Sequence, residues 1–220
     1  MNKKLLASGL IIVLLLASFP LWQSIDLHFF RWANSLLSSN GAKTFWALGN
    51  HDLTDFVEDF IFLGFYLAGL FTIPKKDRRL RLMQYILCIV LTALTIILIN
   101  RVLCRDILHL KRESPSYVLD DGIRLTDVKV NSTKSFPGDH ATTVLMFALS
   151  YAYYSGWRLG LPAILYALLR CMPRLVVGAH WLSDVAIGSG CIVLFSMSLL
   201  AFTPLGQRLP LWLASKRRAH

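Results

Sequence analysis

Residues 80–103 read LRLMQYILCIVLTALTIILINRVL, and between Arg81 and Arg101 nineteen consecutive residues carry no charge. At roughly 1.5 Å per residue, such a run forms a helix nearly long enough to cross the ~30 Å hydrocarbon core of a bilayer. A segment in lipid must satisfy its own backbone groups, so the run reads as a transmembrane helix. Working outward, comparable apolar stretches lie at about 5–22, 56–73, 142–156, 159–173 and 185–203. The stretches at 142–156 and 159–173 are short, so each must extend into its flanking residues. The composition agrees: 55% of residues are hydrophobic and 16% charged, against about 25% charged in soluble domains. The expected fold is all-α: one membrane-embedded domain over 1–220, a polytopic bundle of six transmembrane helices.

The first stretch follows the basic start MNKK and also fits a signal peptide, but no good small-x-small cleavage site follows it. Orientation follows from the basic residues of short loops. With the N-terminus inside, the inner face holds Lys3, Lys4, the run Lys75 to Arg81, Arg158, Arg208 and Lys216 to Arg218. These are twelve of the 23 lysines and arginines, against one acid, Asp77. The net charge of +10 is therefore a topology signal, and no nucleic-acid partner is needed to explain it. Both termini are expected in the cytoplasm.

Between the first two spans, IDLHFFRWANSLL places Leu27, Phe30, Trp32, Leu36 and Leu37 at helical spacing. This fits an amphipathic helix in the membrane interface, or equally a helix packed on the bundle. The four cysteines lie in or beside apolar spans without CxxC spacing and read as small buried hydrophobes.

Three polar clusters fall at the outer ends of these spans. The first is Arg105…Lys111-Arg112-Glu113-Ser114-Pro115, within a polar segment of about 104–141 that also holds Arg124, Lys129 and Lys134. The second is Ser135-Phe136-Pro137-Gly138-Asp139-His140, and the third runs from Arg174 through His180 to Asp184. Arginine forks match phosphate oxygens, and a Pro-Gly turn opening into a helix offers backbone N–H groups to an anion. His180 and Asp184, four apart, would share one helix face, with the carboxylate fixing the imidazole tautomer. The free nitrogen of His180 could then attack, while His140 protonates a leaving oxygen. Each residue alone has an ordinary structural reading; their gathering at one membrane level does not. No His, Cys or carboxylate set has metal-ligand spacing, so neither metal nor other cofactor is expected.

The clusters resemble the three-part signature of the type 2 phosphatidic acid phosphatase superfamily, Lys-x6-Arg-Pro, Pro-Ser-Gly-His and Ser-Arg-x5-His-x3-Asp. The third part is present as Arg174-x5-His180-x3-Asp184, with Pro173 in place of serine. Gly138 and Asp139 replace the Ser-Gly pair, Arg105 replaces the lysine, and Glu113-Ser114 separates Arg112 from Pro115. The strings KRESPS, SFPGDH and PRLVVGAHWLSD resemble the subgroup of bacterial lipid A 1-diphosphate synthases.

That resemblance implies phosphate transfer from undecaprenyl diphosphate to the 1-phosphate of Kdo2-lipid A, at the periplasmic face of the inner membrane. It implies His180 as the nucleophile, Asp184 as its orienting carboxylate and His140 as the general acid. Arg112, Arg174, Arg105, Lys111, Ser135, Gly138 and Asp139 would form the phosphate site, although an acid at Asp139 is electrostatically odd there. With water as acceptor, the same residues make a lipid phosphatase or diphosphatase. A non-enzymatic transporter or binder of anionic lipids is the remaining reading, and it would favour ionisable groups at mid-membrane.

Overall fold

A computed structural model of the chain describes residues 2–119 and 133–216; Arg124, Lys129, Arg217 and Arg218 lie outside the described residues. Helix α1 (Lys3–Ser18) continues through a 3-10 turn at Phe19–Leu21 into α2 (Trp22–Ser35), followed by α3 (Asn40–Gly49) and α4 (Asp52–Phe71). Helix α5 (Arg78–Leu94) runs on as π-helix over Thr95–Ile107, and α6 (Pro115–Val118) is one short turn. Then come α7 (Asp139–Ser155) and α8 (Trp157–Val176). A π-helical segment, Asp184–Ser189, leads into α9 (Gly190–Phe202), and α10 (Pro204–Ser215) follows.

Four of these runs are long and apolar enough to cross a membrane: Lys3–Ser35, Lys75–Ile107, Trp157–Val176 and Asp184–Phe202. Helices α4 and α7, read from sequence as two further spans, fall outside that set for separate reasons. The first turns of α4 carry Asp55, Glu58 and Asp59, while α7 has 17 residues and is roughly 25 Å long. Helix α7 is instead walled in by protein, with Val144, Met146, Phe147 and Tyr151 all buried.

The surface of the bundle is apolar over much of its extent, unlike that of a soluble protein. In α1, Leu6, Leu10 and Val13 are exposed, and Ser8 is its one buried residue. Thr95 and Ser196 meet in the interior through a 2.9 Å hydroxyl–hydroxyl bond. Polar pairs between helices and apolar side chains outside are what a lipid environment selects. This is a membrane protein.

At the centre, α7 and α8 form a hairpin turned on Gly156, whose φ of 81° is a conformation glycine tolerates without strain. Small residues Ala148, Ala163 and Ala167 let the two helices approach closely. An aromatic cluster fills the space towards α4 and α5, with Phe62 stacked on Phe147 at 3.9 Å and Tyr66 against Tyr85 at 4.8 Å.

The segment after the first span departs from its expected stripe. Phe30 and Leu37 are buried, but Trp32 is 56% exposed and Leu36 lies at the surface. The buried face is instead Asp26, Phe30, Ala33 and Leu37, and its apolar part packs on Val176 and Met172 of α8. The helix is thus docked on the bundle, and its inward face contains a carboxylate.

Candidate active site

The three sequence clusters meet at one end of the bundle, held together largely by their backbones. Ser135 donates through both N–H and Oγ to the carbonyl of Arg112, at 2.9 and 3.0 Å, joining the first cluster to the second. Ser116 does the same to the carbonyl of Gly178, at 3.1 and 2.9 Å, joining the first to the third. Ser189 Oγ donates to the carbonyl of Gly138 at 2.8 Å.

Helix α8 delivers the third cluster through a Schellman-type end. Ala179 N–H bonds to Arg174 O at 2.9 Å and Gly178 N–H to Leu175 O at 3.2 Å. Gly178 has φ 78°, and a Cβ there would lie 2.8 Å from Phe30 and 3.2 Å from Ser116 N. Both torsion and room therefore require glycine at this corner.

The turn after Gly178 places His180 ahead of the helix that carries Asp184, which differs from the shared helix face expected from their spacing. His180 Nδ1 donates to the carbonyl of Ser135 at 2.7 Å, while Asp184 Oδ2 stands 3.7 Å away. The Ser135 carbonyl fixes the tautomer, leaving Nε2 with its lone pair. The buried carboxylate of Asp184 accepts from Trp181 N–H at 2.9 Å and from Arg112 Nη1 at 2.6 Å. Its hold on His180 thus runs chiefly through the backbone of the loop.

Arg112 also differs from its expected phosphate role. Its other nitrogen, Nη2, meets Asp26 at 2.7 Å, and its plane lies between the rings of Phe19 and Trp181. It takes no part in lining the main cavity, nor does Lys111. Ser135, fully buried, contributes ties rather than a hydroxyl facing that cavity. Asp26, missed by the sequence reading, accepts from Ser183 N–H at 2.8 Å and Ser183 Oγ at 2.6 Å as well.

His180 opens onto a cavity of about 950 Å³ whose other basic walls are Arg105, Lys134, His140 and Arg174. Acids line it too. Asp55 accepts from Arg174 Nη2 at 2.8 Å, and Glu58 accepts from Arg170 at 2.5 Å. Asp139, odd beside a phosphate, is paired with Arg105 at 2.6 Å and accepts from Asn100 at 3.1 Å. Gly138 is a matter of room: a Cβ would sit 3.2 Å from Ser189 Oγ and 3.7 Å from His180 Cε1.

His140 occupies the first turn of α7, ahead of the apolar run that starts at 142. Asp55 and Glu58 stand 3.7 and 3.6 Å from its two ring nitrogens, and each is already committed to an arginine. Nε of Arg105, Nε of Arg174 and Nε2 of His140 are buried without a hydrogen-bond partner among the described residues. The two guanidinium Nε–H groups are donors without an acceptor beside one cavity, which points to an anionic ligand.

Two smaller cavities adjoin. An apolar one of about 520 Å³, between α4, α5 and α7, shares Asp59 and Thr143 with the main cavity. A polar one of about 450 Å³ shares Arg105, Lys134 and Asp139.

Residues 81–205 match the family profile described as the PAP2 superfamily. The chain is 29% identical over 194 residues to the lipid A 1-diphosphate synthase of Escherichia coli (strain K12), covering 86% of this chain and 80% of that protein. No solved structure matches it.

Proposed function

The chain belongs to the PAP2 superfamily, and from that premise we propose that it is a membrane phosphotransferase carrying a phosphoryl group between lipid-linked phosphates on His180. The observation that supports this most is His180 itself: Nδ1 held by a carbonyl, Nε2 bare, beside a cavity with Arg174, Arg105 and Lys134 in its walls.

In the first half-reaction, Nε2 attacks the terminal phosphorus of a lipid diphosphate. The N–P bond forms, the bond to the bridging oxygen breaks, and the lipid monophosphate leaves with the electron pair. Arg174 and Arg105 stabilise the charge spread over the equatorial oxygens. The incoming phosphate competes with Asp55 for Arg174, and its negative charge favours the protonated form of His140, which lines the same cavity and serves as general acid to the leaving oxygen. In the second half-reaction, an acceptor phosphate oxygen attacks phosphorus and the electron pair returns to Nε2. Arg112 and Asp184 set the His180 loop rather than touching phosphate.

The resemblance of the motifs and the relative's name favour undecaprenyl diphosphate as donor and the 1-phosphate of Kdo2-lipid A as acceptor. The apolar cavity beside the site suits a donor or acceptor with hydrocarbon chains. A donor labelled on its terminal phosphate, given to purified protein with and without lipid A, should send its label into lipid A. Label released only as inorganic phosphate in both arms would make the protein a diphosphatase, and an intact donor would end the enzymatic reading.

We further propose six spans, both termini in the cytoplasm, and a periplasmic site in the bacterial inner membrane, on the division of basic residues. The four native cysteines are buried. Ser38→Cys, in the exposed turn after α2, should therefore react with an impermeant thiol reagent applied to the periplasmic side, and Lys76→Cys should not. The reverse pattern would overturn the topology.

A further inference from the structure

The cavity of about 450 Å³ beside the catalytic one has no role in the chemistry above. Its polar wall is Arg101, Arg105 and Lys134, with Asp106 and Asp139 as counter-charges; its apolar wall is Ile96 and Ile97. We propose that it is a subsite for a lipid-linked phosphate monoester, occupied in both half-reactions: by the departing phosphate of the donor, then by the phosphate of the acceptor. This rests on the phosphotransferase reading and adds to it a seat for the departing and accepting phosphates and a new determinant, Arg101.

Three observations carry it. First, Arg105, Lys134 and Asp139 line both this cavity and that of His180. A phosphoryl group at His180 and a phosphate in the second cavity would therefore share basic side chains between them, as the two halves of a diphosphate require. Second, bases outnumber acids there. Asp139 is already paired with Arg105 at 2.6 Å and bonded to Asn100 at 3.1 Å, while Arg105 Nε is buried without a partner among the described residues. Third, Ile96 and Ile97 also line the apolar cavity between α4, α5 and α7. A ligand with a phosphate in one and a hydrocarbon chain in the other would be held at both ends.

Stereochemistry then makes one subsite serve twice. The attacking and leaving atoms, Nε2 of His180 and a phosphate oxygen, stand roughly in line through phosphorus in each half-reaction. The acceptor must therefore approach the phosphohistidine from the side the leaving phosphate has just vacated. An enzyme moving phosphate between two lipid monophosphates needs one such seat; hydrolysis of a simple monoester needs none.

Arg101 is exposed on the π-helical segment, so its replacement should leave the fold intact. Full-length Arg101→Ala, Arg101→Glu and Arg101→Lys would be compared with wild type in two assays. One is phosphohistidine formation from a lipid diphosphate and from an aryl phosphate, whose leaving group has no phosphate. The other is the partition of the phosphohistidine between a lipid phosphate acceptor and water. Loss of one charge-assisted contact predicts roughly a tenfold drop with diphosphate in Arg101→Ala, more in Arg101→Glu and little in Arg101→Lys. The aryl phosphate should lose several-fold less, and partition towards the lipid acceptor should fall by a similar factor of about ten. Equal losses on both donors, or none, would overturn the subsite. A loss with diphosphate but unchanged partition would overturn its use by the acceptor. The wild-type arms separate this from the parent reading: without any wild-type phosphohistidine or transfer, the phosphotransferase proposal fails and the subsite with it.

Discussion

Replacing His180 by alanine should leave no phosphoenzyme and no turnover above background on any donor, whatever its leaving group. The reason is local: with Nδ1 committed to Ser135 O, Nε2 is the single nitrogen of this ring able to attack. His140→Ala should fail selectively. An alkoxide leaves only with a proton, and general-acid assistance typically contributes ~100- to 10,000-fold. A leaving phosphate monoester has its own pKa near ~6 and departs with little help. His140→Ala should thus be severely slow on an alkyl phosphate and far less so on a diphosphate or an aryl phosphate. The assay is phosphohistidine trapping after rapid mixing with each donor, in both variants. Equal loss of His140→Ala activity on all three would remove the acid role. Turnover of an aryl phosphate by His180→Ala would be more damaging, because water would then be attacking directly and the covalent route would be wrong.

The sequence made the apolar runs and the positions of the three clusters readable, since long uncharged helices and motif spacings are local properties. The three clusters did come together. Local spacing could not say which partner each side chain would find. His180 and Asp184, four residues apart, suggested one helix face, but Gly178 turns the chain so that His180 precedes the helix and meets Ser135. Arg112 reads as a phosphate fork until Asp26, 86 residues earlier, takes one side of it. Asp55, Glu58 and Arg170 belong to none of the three sequence clusters. Their pairing, Arg170 to Glu58 at 2.5 Å and to Asp55 at 3.2 Å, depends on how α4 packs beside α8. One signal was available: an acid in line with the apolar face of a helix is costly once that face is buried, unless it is partnered. Asp26, in line with Phe30, Ala33 and Leu37, fits that description.

Asp26 should accordingly be the structural acid whose loss costs most. Its carboxylate is 1% exposed and accepts from Arg112 Nη2, Ser183 N–H and Ser183 Oγ. Arg112 spans from it to Asp184, which in turn bonds the Trp181 N–H beside His180. One side chain on α2 thus anchors the loop carrying His180. Asp26→Ala leaves a largely buried guanidinium with half its compensation and a buried N–H without an acceptor. Breaking such a pair from one side typically costs about 3–5 kcal/mol. Thermal unfolding in detergent should fall markedly, and phosphohistidine formation should drop with it as the loop loosens. Arg112→Ala should be comparably damaging, since it strands two buried carboxylates. The double variant decides the cause. If the ion pair is what matters, removing both partners should cost clearly less than the sum of the single losses, because the second change removes a charge the first had stranded. Additive losses would mean that Asp26 acts through packing against α8, and that Arg112 does its work elsewhere in the site.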